Sequence, residues 1–538
     1  MSRKSLAFAA AAIAAALALT GCAAGANASD SAQNRTADSD HSSDPIRGGV
    51  LNYRAAGLTR SIDPAATTGY GLAVPLRTLV DSLVFNDLDG SFQPWLATEW
   101  EVNDDATSFR FKIREGVTFS NGEVLDAEAV KTSFESVRAQ GAKYAVANLW
   151  IGDLAEIVVE GADTIVFDFS SPNSSFLQAV SSVVLGIVSP ETAALSFEER
   201  QDGLSIIGSG PFVATEVRGE EGYTLERRDD YAWGPEGSDA EPAAYLDAIE
   251  VHGISDNSTA ASQLLVGELG LLHNTEPADK TAFATTQSDV VTIRRDPLPG
   301  LALGLVTNVK SEVLEDQKVR NALQLAIDRA AVLERASAID IPATSVYASS
   351  NPFWEDKADQ IETDQEAAIR LLEEAGWDEI GTDGIRVKNG KRLSLSLIYS
   401  ASTISHEPNL AVVQAQLSDL GVELVFGSLT TPELNQRIAA GDFDFSWGSG
   451  TRPDTDALRG QYEGLDPDLD ELFDAVLSAS DFETRKKLSS EAVDLILERG
   501  YFVALYDFIQ PLAFRNELQL PLWEATQIPW LGDAWLNQ

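Results

Sequence analysis

Leu393, Leu395, Leu397 and Tyr399 alternate with polar residues, the period of a strand with one face buried. Pro408 to Leu420 then carries Leu410, Val413 and Leu417 at helical spacing and is closed by Gly421; a second strand, Val422 to Phe426, follows at once. Strand, helix and strand within about 35 residues make a crossover unit of a parallel sheet, since a tight hairpin joins only antiparallel neighbours. This part of the chain is therefore α/β. Upstream, Thr363 and Glu366 have capping-box spacing, and Ala368, Leu371, Leu372 and Ala375 form an apolar stripe ending at Gly376. A similar helix is predicted from Thr484 to Arg499, with Leu488, Ala492, Leu495 and Ile496 on one face, followed by a buried strand from Tyr501 to Tyr506. The amino-terminal half reads as α+β. Phe109, Phe111 and Ile113 alternate, Asn121 and Gly122 supply a turn, and Thr164 to Phe169 gives another strand.

The first residues belong to no such element. Arg3 and Lys4 precede an Ala- and Leu-rich run from Leu6 to Leu19, the layout of an export signal. The run falls short of the about 20 apolar residues that span a bilayer. Leu19-Thr20-Gly21-Cys22 holds the one cysteine of the chain and resembles the lipobox of bacterial lipoproteins. The resemblance implies cleavage after residue 21 and lipid on Cys22, which with two or three acyl chains anchors a protein to a membrane. Residues 22–47 have no aromatic side chain and one large aliphatic residue, Ile46, and read as a flexible tether.

Charge and motif content exclude several functions for the remaining body. Asp and Glu number 83 against 39 Lys and Arg, a net charge of −44, which repels nucleic acid. No cysteine is left for disulfides or metal. There is no Gly-x-Ser-x-Gly elbow, phosphate loop, His-Glu-x-x-His motif or calcium loop. His41, His252, His273 and His406 are scattered without ligand-spaced partners and read as surface or loop residues; neither a metal nor a cofactor is expected.

Several segments in order carry a resemblance: Phe92-Gln-Pro-Trp-Leu-Ala-Thr-Glu-Trp100, Phe109 to Phe119 with Ser120-Asn121-Gly122, Ala127-Glu-Ala-Val130, and Gly208-Ser-Gly-Pro-Phe212. Asp230-Tyr-Ala-Trp233, Val319-Arg-Asn-Ala322 with Ala326-Ile-Asp-Arg329, and Leu371-Leu-Glu-Glu-Ala-Gly-Trp377 continue it. Together they resemble the family 5 extracellular solute-binding proteins, which include peptide-binding components of ABC importers. Two departures stand out: Ser120-Asn121 where the family often has His-Asp, and Asp454-Thr-Asp456 where many members have Asp-Pro-Asp.

The resemblance implies an α/β fold of two lobes, related to periplasmic binding proteins, with a ligand cleft between them and an extra small α+β domain. Lobe I would take 48–83 and 206–295, the inserted domain 84–205, lobe II 296–500, and 501–538 would return to lobe I. Gly208 and Gly210 are expected to serve a turn between lobes. Trp95, Leu96 and Trp100 are expected in the core, and Trp523, Trp530 and Trp535 as packing residues rather than a sugar platform. The function implied is capture without catalysis, by a monomer held outside the cytoplasm and delivering to a permease served by a separate ATPase.

The segment Phe445 to Leu458 leaves a strand predicted from Asp442 to Trp447 and becomes a loop rich in Gly, Pro, Ser and Thr, where open α/β sheets place ligand contacts. By resemblance to the peptide-binding members, Asp454 would accept a peptide's α-ammonium group, with Asp456 the fallback. Trp447 would cover an apolar portion, and Arg452 would meet a carboxylate. An Asx-turn with solvated charges explains the same loop. Oligopeptide or dipeptide is the expected cargo, with a nickel chelate, an opine or an oligosaccharide as alternatives; a surface-anchored hydrolase or a sensory lipoprotein is the alternative of another class.

Overall fold

A computed structural model describes residues 44–537 except 56, 59–60, 68–69, 240–241, 274–275, 335–338, 402–405, 449 and 510–511. Cys22, His41 and nearly all of the expected tether lie outside the described residues. Arg47, the last residue of that tether, donates to the carbonyls of Pro242, Ala243 and Ala244, so it belongs to the folded body.

The two-lobed reading appears as two large mixed sheets. The first has seven strands in the order Val291–Ile293, Leu512–Arg515, Leu271–His273, Val50–Arg54, Ala248–His252, Gly222–Arg227, Phe212–Val217. The second has six, in the order Ile341–Pro342, Phe502–Asp507, Leu303–Thr307, Phe445–Gly448, Ser394–Ser400, Glu423–Leu429. The predicted crossover is present: Ser394–Ser400 and Glu423–Leu429 run parallel in register from Ser394–Glu423 to Ser400–Leu429, joined by the helix Glu407–Asp419. A four-stranded antiparallel sheet, Ala97–Val102, Ser108–Ile113, Thr164–Phe169 and Leu154–Glu160, forms the small α+β region.

Phe502–Asp507 corrects the expected layout. The resemblance implies a return to lobe I from residue 501, but this strand pairs with Leu303–Thr307 in the second sheet, and the return follows Asp507. Its side chains serve both faces: Val503 and Leu505 enter one apolar core, Phe502 and Ala504 the other. A continuous apolar run announces a central strand without saying which sheet holds it. The two connections between the sheets run side by side, with Arg294 N–H donating to Leu512 O (3.0 Å) and Leu298 N–H to Phe508 O (3.2 Å), a double-stranded hinge.

Local details also differ. The helix Gln365–Glu374 is capped by Asp364, whose carboxylate accepts from Ala367 N–H (2.8 Å), while the Thr363 hydroxyl donates to Ile327 O instead. Gly208 and Gly210 flank a bend just before the strand Phe212–Val217 and also pack closely. A Cβ at Gly208 would stand 1.9 Å from Leu79 O, and one at Gly210 2.3 Å from Thr78 O. Trp95 and Trp530 are fully buried and meet edge to face at 5.0 Å, so the carboxyl end closes the core that begins near residue 51.

Candidate functional site

Carboxyl ends of strands from both sheets lie on the hinge side. In the first sheet His273 stands opposite Leu512, where the chain re-enters from the hinge, and Val50–Arg54 runs parallel to the strand that His273 ends. In the second, Gly448 stands opposite Gly304, just after the other connection, and Ser394–Ser400 runs parallel to Phe445–Gly448. Open α/β sheets present ligand contacts at such ends, where side chains and loops leave the hydrogen-bonded ladder.

An aromatic cluster occupies the second lobe's side. His406 Nδ1 stands 2.8 Å from the Tyr506 hydroxyl, which also accepts from Asn409 Nδ2 at 2.9 Å. The His406 ring lies 5.1 Å from Phe508 and 5.8 Å from Trp447, centroid to centroid. Lys280, on the first lobe's helix Pro277–Ala284, reaches across: its ammonium lies 4.6 Å from the Phe508 ring centre, donates to Ile509 O and stands 3.8 Å from the Asp340 carboxylate. Burial pulls the His406 pKa down to about 4, with the Lys280 charge adding to it, so His406 is neutral at pH 7.

Two polar side chains here have no hydrogen-bond partner. Trp447 is 7% exposed, and its indole N–H meets no acceptor; His273 is 4% exposed, with both ring nitrogens unpaired. A buried polar atom without a partner costs about 1–3 kcal/mol, so such atoms mark places where something else is meant to bind or where strain is tolerated.

A second polar region, where the small α+β region meets the second lobe, is of a different kind. Asp454 is 2% exposed and pairs with the Arg485 guanidinium at 2.6 Å; Ser175 Oγ lies 2.5 Å from the same carboxylate oxygen. Arg485 also donates to Thr455 Oγ1, and Arg452 reaches Asp456 at 2.6 Å and Gln178 Oε1 at 2.7 Å while lying over the Trp150 ring. Ser174 completes the seam through its N–H to Leu477 O and its hydroxyl to Val476 O. Trp150, Ser174, Ser175 and Gln178 come from the small α+β region, whereas the arginines and aspartates come from the second lobe. Burial pushes the Asp454 pKa up, but Arg485 and Arg452 outweigh it and hold the carboxyl below its usual range.

Of the candidate residues, Arg452, Asp454 and Asp456 thus gather in this seam, and Trp447 sits among the hinge aromatics. An ammonium group seeking Asp454 would have to displace Arg485. Sequence reasoning missed Arg485, Ser175 and Gln178, which lie 31, 279 and 276 positions from Asp454 and share no motif with it. It also reads His273 and His406 as surface or loop residues, whereas His273 ends a buried strand and His406 is largely buried. The one available signal for His273 was its position closing the apolar run Leu269 to Leu272. Among the described residues, no three His, Cys, Asp or Glu side chains stand close enough to hold a metal ion.

Residues 91–466 match the family model described as bacterial extracellular solute-binding proteins, family 5 middle. The nickel-binding periplasmic protein of Escherichia coli K12 is 26% identical over 364 residues, 66% of this chain and 67% of its own. The oligopeptide-binding protein AppA of Bacillus subtilis 168 is 25% identical over 459 residues, covering 81% and 79% of the two chains. Among solved structures, NikA from Brucella suis in complex with Fe(III)-EDTA superimposes with a TM-score of 0.77 at 23% identity, over 91% of this chain and all of that one.

Proposed function

Because the chain belongs to the bacterial extracellular solute-binding proteins of family 5, we propose that it captures a peptide between its two lobes and delivers it to the permease of an ABC importer. It is a carrier and not an enzyme: solutes leave as they came. It works outside the cytoplasm, and lipid on Cys22 would keep it at the membrane, where local concentration replaces affinity for the permease.

The observation that carries the peptide reading is the unpaired Trp447 indole N–H beside the hinge, within an aromatic cluster formed with His406, Tyr506 and Phe508. A peptide offers backbone carbonyls to such a donor and apolar side chains to such rings. The double-stranded hinge supplies the axis for closure. The seam around Asp454 is then a contact that holds the second lobe to the small α+β region.

A second reading, a metal chelate or other non-peptide solute, is favoured by the pairing of Asp454 with Arg485, which removes the expected acceptor for a peptide ammonium group. Mass spectrometry of the solute retained by gently purified protein separates the two; a retained chelate or sugar and no peptide would refute the first. The anchor is tested apart: Cys22→Ser should release the protein from cells with its solute binding intact, and a variant that stayed on the membrane would refute lipidation.

A further inference from the structure

We infer that the small α+β region is one half of a closure latch: Trp150, Ser174, Ser175 and Gln178 grip the second lobe in the closed arrangement and release it when the lobes part. The inference rests on the reading that the solute is captured by lobe closure about the hinge.

The small region moves with the first lobe. Its Phe109, Phe111, Phe167 and Phe176 belong to one apolar core with Leu51, Tyr53 and Ile249 of the seven-stranded sheet and with Trp530, while the second lobe is built on cores of its own. Arg77 ties the same parts again, pairing with Glu524 and donating to Ser181 O. Rotation about the hinge therefore carries the small region away from the second lobe. Whatever joins the two across the seam must break.

What crosses the seam is suited to breaking. The ion pairs of Arg485 with Asp454 and of Arg452 with Asp456 each lie wholly within the second lobe, so parting leaves no charge without its counter-charge. The small region offers neutral groups. The Ser175 hydroxyl stands 2.5 Å from Asp454 and 2.9 Å from Asp456, the Gln178 side-chain carbonyl accepts from Arg452 Nε at 2.7 Å, and the Trp150 ring centre lies 4.7 Å from the Arg452 guanidinium. Ser174 caps the last turn of the helix Pro467–Ser478, its N–H donating to Leu477 O at 3.0 Å and its hydroxyl to Val476 O at 2.8 Å. Carbonyls at a helix end lack partners within their own helix, and water satisfies them once the surfaces separate. The turn at Gly90 is a further touch point: φ is +84°, and a Cβ there would stand 2.6 Å from Pro352 Cβ and 3.9 Å from the Phe482 ring. Among the described residues no apolar core spans the seam. Hydrogen bonds exchanged for water contribute little each, so several together bias the closed arrangement without locking it. Such a latch sets how much of the solute-free protein is closed, and it tunes affinity for every solute alike.

The test uses the full-length chain with Cys22→Ser and nitroxide labels on cysteines introduced at Val124 of the small region and Ile380 of the second lobe, both exposed. Distances between the labels are measured by pulsed electron resonance on protein stripped of solute by unfolding and refolding. Gln178→Ala removes the acceptor for Arg452 and should raise the open-to-closed ratio about tenfold over wild type. Ser174→Ala, the milder change, should shift the ratio the same way by a smaller factor, and it decides the matter should Gln178→Ala not fold. Two distances in wild type with an unchanged ratio in the variants would overturn the latch and leave capture by closure standing. A single distance shared by wild type and both variants would overturn it too; closure itself falls only if that distance is also the same in protein that keeps the solute it was purified with.

Discussion

Two polar regions join the second lobe to the rest of the molecule, one charged and one neutral. Around Asp454, buried charges of opposite sign are paired, Arg485 with Asp454 and Arg452 with Asp456, with Ser175, Thr455 and Gln178 adding hydrogen bonds, although Arg485 Nε and Arg452 Nη2 have no partner. At the hinge, the Trp447 indole N–H and both His273 nitrogens are buried without any. Paired buried charges fix one arrangement of the parts they connect, because breaking one member strands the other. Unsatisfied neutral groups cost less and leave a site able to recognise a third party. On the proposed reading, the contrast separates the charged seam that holds the second lobe to the small α+β region from the neutral groups that would meet cargo.

Breaking the seam should give the largest effect. Asp454→Ala leaves the Arg485 guanidinium buried and unpaired, which should lower stability by about 3–5 kcal/mol in chemical denaturation. If stability held while peptide affinity fell, Asp454 would be a cargo group and the contrast would collapse. Acid should produce a smaller and graded loss. Because the folded Asp454 pKa is depressed, its contribution is complete above the usual value of 3.8 and disappears as pH falls through the folded value. Wild type should therefore lose stability more steeply below that pH than Asp454→Asn, and parallel curves would argue against a paired carboxylate. The smallest effect is expected at the hinge. Trp447→Phe keeps an aromatic ring and removes the N–H, so peptide affinity should fall by about 0.5–1.5 kcal/mol with stability unmoved. A drop in melting temperature without a change in affinity would make Trp447 a core residue like Trp95.

Much of the fold was legible because it is written in local periodicity. The alternation at Leu393 to Tyr399 and the stripe at Leu410, Val413 and Leu417 give a strand and a helix from side-chain spacing alone. The sheet that holds Phe502–Asp507 was not legible, since a run buried on both faces fits any central position. The cap of the helix Gln365–Glu374 was off by one residue because Thr363 and Asp364 are both good caps, and Thr363 is drawn away by Ile327 O. At the site, residues 445–458 stood out as a loop of polar and conformationally special residues. Whether its aspartates point to cargo or to arginine depends on α-helical residue Arg485 and on Ser175, contacts that no local spacing encodes.

The sequence by itself determined the family, through motifs spread in order along the body, and the α/β class, through one crossover unit; both depend on neighbours within a few tens of residues. Only the tertiary structure decided which polar residues are already partnered. A carboxylate's role is set by what lies within about 4 Å of it, and for Asp454 those groups, Arg485 and Ser175, come from distant stretches of chain that only the packed structure brings together.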